Sequence, residues 1–336
     1  MSESVSRRQL LQGAAGTAAA GIVGVAPAQA APMPIKIANA SGALTQVMGA
    51  LMKQQRIMES FDLAPDILEV ADGSKILGAV ISGTVDVCLM SGFGQLFPAV
   101  ERGGGLKVIG GALLSPTIAM FTGKSNVNSL KDLEGRTVGI GSVGALAHQL
   151  ILTLLRKHHV DDSKVTFVNI GSTAAIFRAV SAGAIDAGPG EAALVSAAAQ
   201  YHVRAIPGGI MAAELPDFTY QGSWASDNAI RTKREVLVRA LAAQASLYRF
   251  IQSPQAKEPF IRARRSVFPT ASQADHEADW NYVQTYKPLA VNLALTPQRI
   301  QYMQQLNVGF KVQKSVLPFD RVADMSLAAD ALKLLK

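Results

Sequence analysis

The 336-residue sequence predicts an α/β protein built as two similar lobes followed by a helical part, and three observations carry that expectation. Short strand-like runs alternate with helical runs through the first two thirds, the pattern of parallel strands covered by helices. One strand–turn–helix unit recurs about one hundred residues later. After Asn228 the pattern is helical throughout.

The repeat is explicit. DGSKILGAVISGTVD (Asp72 to Asp86) aligns with STAAIFRAVSAGAID (Ser172 to Asp186), with Ile76/Ile176, Ala79/Ala179, Val80/Val180, Gly83/Gly183 and Asp86/Asp186 coinciding. Upstream, SGALTQVMGALM from Ser41 matches VGALAHQLILTLL from Val143 at Gly-Ala-Leu, and each copy follows a short strand, PIKIANA or RTVGIGS. Two such units argue for two lobes.

The second copy contains VGIGSVG, a G-x-G-x-x-G run from Gly139 to Gly144 that has the form of a dinucleotide fingerprint. That fingerprint needs an acidic residue at the end of the next strand to hold the ribose. Here VTFVNIGS ends in Asn169, Gly171 and Ser172, and the nearest acids, Asp161 and Asp162, precede the strand. No dinucleotide is expected. The turn instead suits a half-site for a small polar or anionic group, because it leaves free N–H groups at the positive end of a helix. On that reading Gly144 must stay small to keep the space before the helix open.

The ends and the composition set further bounds. SRRQLLQ carries the arginine pair Arg7-Arg8, a Gly/Ala-rich apolar stretch follows to Ala26, and Ala28-Gln29-Ala30 is a small-residue cleavage site. Residues 1–30 therefore read as a twin-arginine export signal, with an ordinary secretory signal as the alternative. Without them the formal charge falls from +7 to +6. No basic stripe interleaved with aromatics appears, so no nucleic acid is expected. The lone Cys88 lies in an apolar run and permits no internal disulfide. The five histidines show no metal spacing, and neither a metal nor a cofactor is expected.

NSLKDLEGRTVGIGSVGALAHQLI (Asn128 to Ile151) resembles the lobe-entry motif of periplasmic substrate-binding proteins of the sulfonate/nitrate/taurine and thiamine-pyrimidine-precursor class. The repeated helices are similar to those of the same class, and the resemblance spans Pro34 to Leu317. Arg136 stands where many members have Lys. The resemblance implies a type II-like periplasmic binding protein: two doubly wound α/β lobes joined by two extended crossings, with the C-terminal helices packed on lobe one.

Its elements follow in order. Lobe one holds strands at Ile35–Asn39, Ile67–Val70, Val85–Leu89 and Lys107–Ala112, with helices at Ala43–Ile57, Lys75–Ser82 and Phe93–Glu101. SPTIAMFTG (Ser115 to Gly123) crosses to lobe two. Lobe two alternates strands Arg136–Ile140, Val165–Asn169, Ile185–Ala187 and Val203–Pro207 with helices Ala145–His158, Ala174–Ala182 and Ala192–Gln200. DFTYQGSWAS (Asp217 to Ser226) returns, so that residues 31–118 and 226–336 form lobe one and 119–225 lobe two. Helices at Lys233–Ile251, Gln255–Arg265, Ser272–Tyr286, Pro297–Leu306 and Asp320–Leu335 complete the chain, either covering lobe one or also meeting a permease.

Candidate ligand contacts lie where strands end. Ser41 and Gly42, Ser142 and Gly144, Asp72 and Ser74, and Thr173 open helices, where capping and ligand contact both fit. Asp86 and Asp186 read as structural turn residues. Ser91 and Gly92 follow a buried strand at the position of a ligand crevice. Glu191 either receives an ammonium or amino-pyrimidine or favours the start of its helix. Thr117 lies on the first crossing; Tyr220 and Trp224 lie on the return, where an aromatic either stacks on ligand or packs in the core. MSGFG is no nucleophile elbow and no Ser/His/Asp set appears, so no catalytic residue is expected. The reading is a monomeric, exported, periplasmic solute-binding protein that captures a small organic ligand and delivers it to an ABC permease and its ATPase. An enzyme on the same fold, of menaquinone-pathway or thiamine-pyrimidine type, and a periplasmic sensor subunit are the alternatives.

Overall fold

The computed structural model describes residues 31–70, 72–141, 143–144 and 146–335. The export signal and Ser142 lie outside the described residues. The chain runs β1 (Met33–Ala40), α1 (Ala43–Gln54), β2 (Leu63–Val70), α2 (Gly73–Ser82), β3 (Cys88–Ser91), α3 (Leu96–Glu101) and β4 (Leu106–Leu113). It then crosses into β5 (Ile118–Thr122), β6 (Thr137–Ile140), α4 (Leu146–Lys157), β7 (Thr166–Asn169), α5 (Thr173–Ser181), β8 (Ala187–Glu191), a 3-10 helix (Ala192–Tyr201), β9 (Arg204–Ile210) and α6 (Met211–Glu214). The return strand β10 (Gln221–Ser226) leads into α7 (Asp227–Thr232), α8 (Arg234–Ile251), α9 (Lys257–Val267), α10 (Gln273–Tyr286), α11 (Pro297–Gly309), α12 (Phe319–Val322) and α13 (Ser326–Lys333).

Both lobes have one topology. In lobe two the strands lie in the order β7-β6-β8-β5-β9. In lobe one, β2-β1 and β3-β10-β4 are joined through the parallel bridge Ile37↔Val87, giving β2-β1-β3-β10-β4. In each array the strand that has just crossed, β5 or β10, inserts antiparallel to both neighbours. This is the two-lobed arrangement expected from the repeat. The repeated aspartates also take equivalent places: Asp86 Oδ2 accepts from the Lys36 N–H of β1, and Asp186 Oδ2 accepts from the Thr137 N–H of β6, each at 2.9 Å. Each carboxylate thereby pins the first strand of its lobe to the turn before the third.

Three elements differ from expectation because neighbouring strands recruit them. The third strands start later, at Cys88 and Ala187, since the residues before them form those aspartate turns. Pro189-Gly190-Glu191 belongs to β8, where it pairs with Met120, Ala119 and Ile118 of the crossing strand. The expected final helix is split into α12 and α13 because Ala323 bridges to Val108 and Asp324 N–H donates to the Val108 carbonyl.

The glycines of VGIGSVG serve two different ends. A Cβ on Gly139 would stand 2.6 Å from Ile185 and 2.7 Å from Ile176, and one on Gly188 would stand 2.4 Å from Ile176. Bare backbone in β6 and β8 thus lets α5 press Ile176 onto the sheet. Gly144 has φ +76 and open space where a Cβ would be, so its requirement for glycine lies in the backbone and not in the space before the helix. Gly139→Val should destabilise the protein by about 1–3 kcal/mol through overpacking. A urea midpoint equal to that of the wild type would refute this packing role.

Candidate functional site

The site is built where the two crossings pass between the lobes. Glu191 ends β8 opposite Ile118, the first residue of β5, and Ala192 N–H donates to the Thr117 carbonyl at 2.8 Å. The Glu191 carboxyl therefore sits beside the first crossing. It also reaches α1 of lobe one, whose start is the extended Gly42 (φ −163), a residue with no side chain to cap the helix. The Ala43 N–H is near enough to favour the Glu191 carboxylate. From the second crossing Tyr220 interacts with the Thr117 side chain and faces Glu191. Thr117, Glu191, Tyr220 and the Ser41-Gly42 turn thus come together.

A second wall comes from the C-terminal helices. The Tyr282 hydroxyl of α10 donates to the Pro116 carbonyl, and its ring lies 4.8 Å from that of Tyr286. Arg264 of α9 pairs with Asp279 of α10, each side chain only 8% exposed. The Tyr201 hydroxyl of lobe two donates to Asp275 Oδ2 at 3.1 Å, which ties α10 to the opposite lobe. The C-terminal helices therefore do more than cover lobe one. Arg264, Asp279, Tyr282 and Tyr286 escaped the sequence reading. Asp279, Tyr282 and Tyr286 recur at spacings of three and four, one helical face, which is a signal that was available. Arg264 is the buried member of the basic run Arg262-Ala-Arg264-Arg265, and nothing local in the sequence distinguishes it from its exposed neighbours.

Enclosure sets the electrostatics. Protein atoms ring the Glu191 carboxyl and push its pKa up to about 8; the Asp279 carboxylate adds to the rise, while Arg264 and the Ala43 N–H oppose it. Burial raises Tyr220, with the Glu191 carboxylate adding to the effect. Burial likewise raises Tyr282, helped by Tyr220, Tyr286 and Glu191. His276, buried beside Arg264, is held below the ordinary histidine range, first by burial and then by the two arginines Arg264 and Arg265. At neutral pH the ligand-free Glu191 is mostly a neutral acid, able to donate a hydrogen bond or to ionise against a cation.

The other sequence-predicted residues occupy distinct places. Ser41 is exposed and its N–H donates to the Val70 carbonyl. Asp72 Oδ1 accepts from the Ser74 N–H and hydroxyl at 2.9 and 2.6 Å, an exposed cap on α2. Ser91 is buried, and Gly92 lies under lobe two, where a Cβ would be 3.1 Å from Leu146. Gly144 N–H donates to His148 Nδ1 at 2.9 Å. Thr173 begins α5 behind its cap Ser172. Trp224 is in the lobe-one core, 2% exposed, across from Val108 and Cys88, and its indole N–H has no partner among the described residues. Cys88 is fully buried and its thiol is pushed up by that burial, which suits packing and not nucleophilic attack. Among the described residues no group of three His, Cys, Asp or Glu side chains is placed to hold a metal ion.

Residues 59–256, more than half of the chain, match the family model described as NMT1/THI5 like. No curated protein matches the chain by sequence. Among solved structures, the chain is similar to the alkanesulfonate-binding protein SsuA from Xanthomonas axonopodis pv. citri bound to MOPS, at 19% identity and a TM-score of 0.69 over 90% of this chain and 99% of that one. It is similar to the periplasmic aliphatic sulphonate binding protein SsuA from Escherichia coli, at 17% identity and a TM-score of 0.67 over 87% and 92%. It is also similar to the desulfurization enzyme DSZB, at 12% identity and a TM-score of 0.64 over 90% and 100%. At these identities the shared property is the periplasmic binding protein fold.

Proposed function

The chain belongs to the NMT1/THI5-like family, and from that premise we propose that it is an exported solute-binding protein of an ABC importer. It captures a small organic solute between lobes formed by residues 31–118 with 226–336 and by 119–225, and hands it to a permease. The observation that carries this reading is the Thr117–Glu191–Tyr220 cluster between the two crossings, beside the uncapped start of α1. Export by the twin-arginine route and a periplasmic location follow from Arg7-Arg8 and the Ala28-Gln29-Ala30 site.

Two ligand chemistries fit the cluster, and Glu191 separates them. A sulfonate-like anion would seek the start of α1 and could accept a hydrogen bond from the neutral Glu191 carboxyl. An amino-pyrimidine-like ligand would pair with that carboxyl. Calorimetric titration at neutral pH with MOPS, taurine, nitrate and an amino-pyrimidine, repeated on Glu191→Gln, distinguishes them: the substitution should weaken the amino-pyrimidine by about tenfold and change the affinity of an anion by much less. Closure about the crossings should also reduce the radius of gyration in solution scattering. Saturable binding of none of these probes, with an unchanged profile, would defeat the proposal.

The similarity to DSZB supports an enzymatic alternative on the same fold. In this chain the only thiol is that of the buried Cys88, and among the described residues the cluster at the crossings holds no activated nucleophile. Binding is the better reading.

A further inference from the structure

Lobe one carries a cavity of about 530 Å³ that is separate from the interlobe cluster, between α1, the Glu59–Phe61 turn and edge strand β2, with Val267 of α9 at its wall. That volume is in the range of small-molecule sites, roughly 300–1,000 Å³. Met52, Met58 and Ile67 line it. Methionines are adaptable, so this floor can mould itself to an alkyl chain. The cavity is open at α1 because position 49 is glycine: a Cβ there would stand 3.2 Å from Glu69 Oε1.

The polar groups of the cavity point to the sign of its occupant. Glu59, Asp66 and Glu69 line it, and none of the three makes an ion pair among the described residues, whereas Lys53 is the only basic residue lining it. Asp66 and Glu69 stand exposed at its rim, and crowding by neighbouring atoms raises the Glu69 pKa, with a bond from Gln46 opposing the rise, so a cation at the rim meets unpaired carboxylates.

We propose that this cavity is a second binding site, for an amphiphilic organic cation whose apolar part lies on the methionine floor and whose ammonium faces Glu69 and Asp66. It operates independently of the interlobe site. The test is calorimetric titration of the full mature chain with n-octylammonium chloride, with sodium octanoate as the charge-reversed control. One equivalent of octylammonium should bind saturably, and octanoate should bind at least about tenfold more weakly, the scale of one charge-assisted contact. Glu69→Gln should weaken octylammonium by about tenfold, and Ala50→Phe, which fills the cavity from α1, should abolish its binding. All these titrations are made in the Glu191→Gln background, which removes the cation partner of the interlobe cluster and keeps failure here distinct from failure of the solute-binding reading. Should Ala50→Phe not fold, methyl NMR of the wild type takes its place, with the Met52 and Met58 resonances expected to shift on titration. Equal binding of octanoate, unaltered binding by a folded Ala50→Phe variant, unmoved Met52 and Met58 resonances, or no saturation up to about 10 mM would overturn the proposal.

Discussion

Arg264→Ala should lower the stability of the protein by about 3–5 kcal/mol, the usual cost of removing one partner from a buried ion pair. Arg264 and Asp279 are each 8% exposed, and the guanidinium also lies 4.9 Å above the Phe268 ring. Truncating the arginine leaves the Asp279 carboxylate buried without a counter-charge, in a place where burial already raises its pKa. The same change removes the cation that opposes the rise at Glu191, whose pKa should climb further. Replacing both partners, as Arg264→Met with Asp279→Leu, should recover most of the loss, because no orphaned charge is left behind. Urea unfolding of the three proteins measures both effects. A single variant within about 1 kcal/mol of the wild type would show that water reaches the pair and that it is not the closed structural contact described above.

Glu191 should impose a pH dependence on stability that Glu191→Gln abolishes. Its carboxyl moves from the ordinary 4.5 to about 8 on folding, so the native state binds the proton more tightly than the unfolded chain. The sign follows by linkage: the contribution is fully present below about pH 4.5 and is lost as the pH rises through about 8. Over that window the wild type should lose on the order of a few kcal/mol relative to Glu191→Gln, because a tenfold difference in proton affinity is worth about 1.4 kcal/mol. Melting curves of both proteins between pH 5 and about 9 test it, and parallel profiles would mean that the carboxyl is solvated in the free protein. A cationic ligand in the cleft should expel this proton near neutrality, visible as a binding enthalpy that changes with the ionisation enthalpy of the buffer.

Much of the architecture was legible because it repeats. The coincidence of Gly83/Gly183 and Asp86/Asp186 reports real constraints: both glycines have left-handed backbone, at φ 74 and 71, and both aspartates hold the first strand of their lobe. Ile176 was legible as an apolar repeat position, but not as the side chain that forces Gly139 and Gly188 to be glycine. That contact joins the helix to two strands, one before it and one after it in the chain, that lie side by side only in the sheet. Of the site, Thr117, Glu191 and Tyr220 were within reach because they flank the crossings that the family resemblance implies.

Local patterning and the repeat thus pointed to the two α/β lobes and the order of most elements, since these depend on residues near one another in sequence. Folding alone decided the rest. Whether Tyr220 or Trp224 of the return crossing joined the cluster depended on where β10 begins and on the register shifts along it: Tyr220 precedes the strand, and Trp224 packs in the lobe-one core. Which arginine of the Arg262–Arg265 run was buried depended on the angle at which α9 meets α10, and Arg264 was selected. The pKa of Glu191 depended on groups drawn from α1, α9 and α10 and on its own enclosing walls. Burial and charge proximity are properties of three-dimensional packing, and no spacing along one segment encodes them.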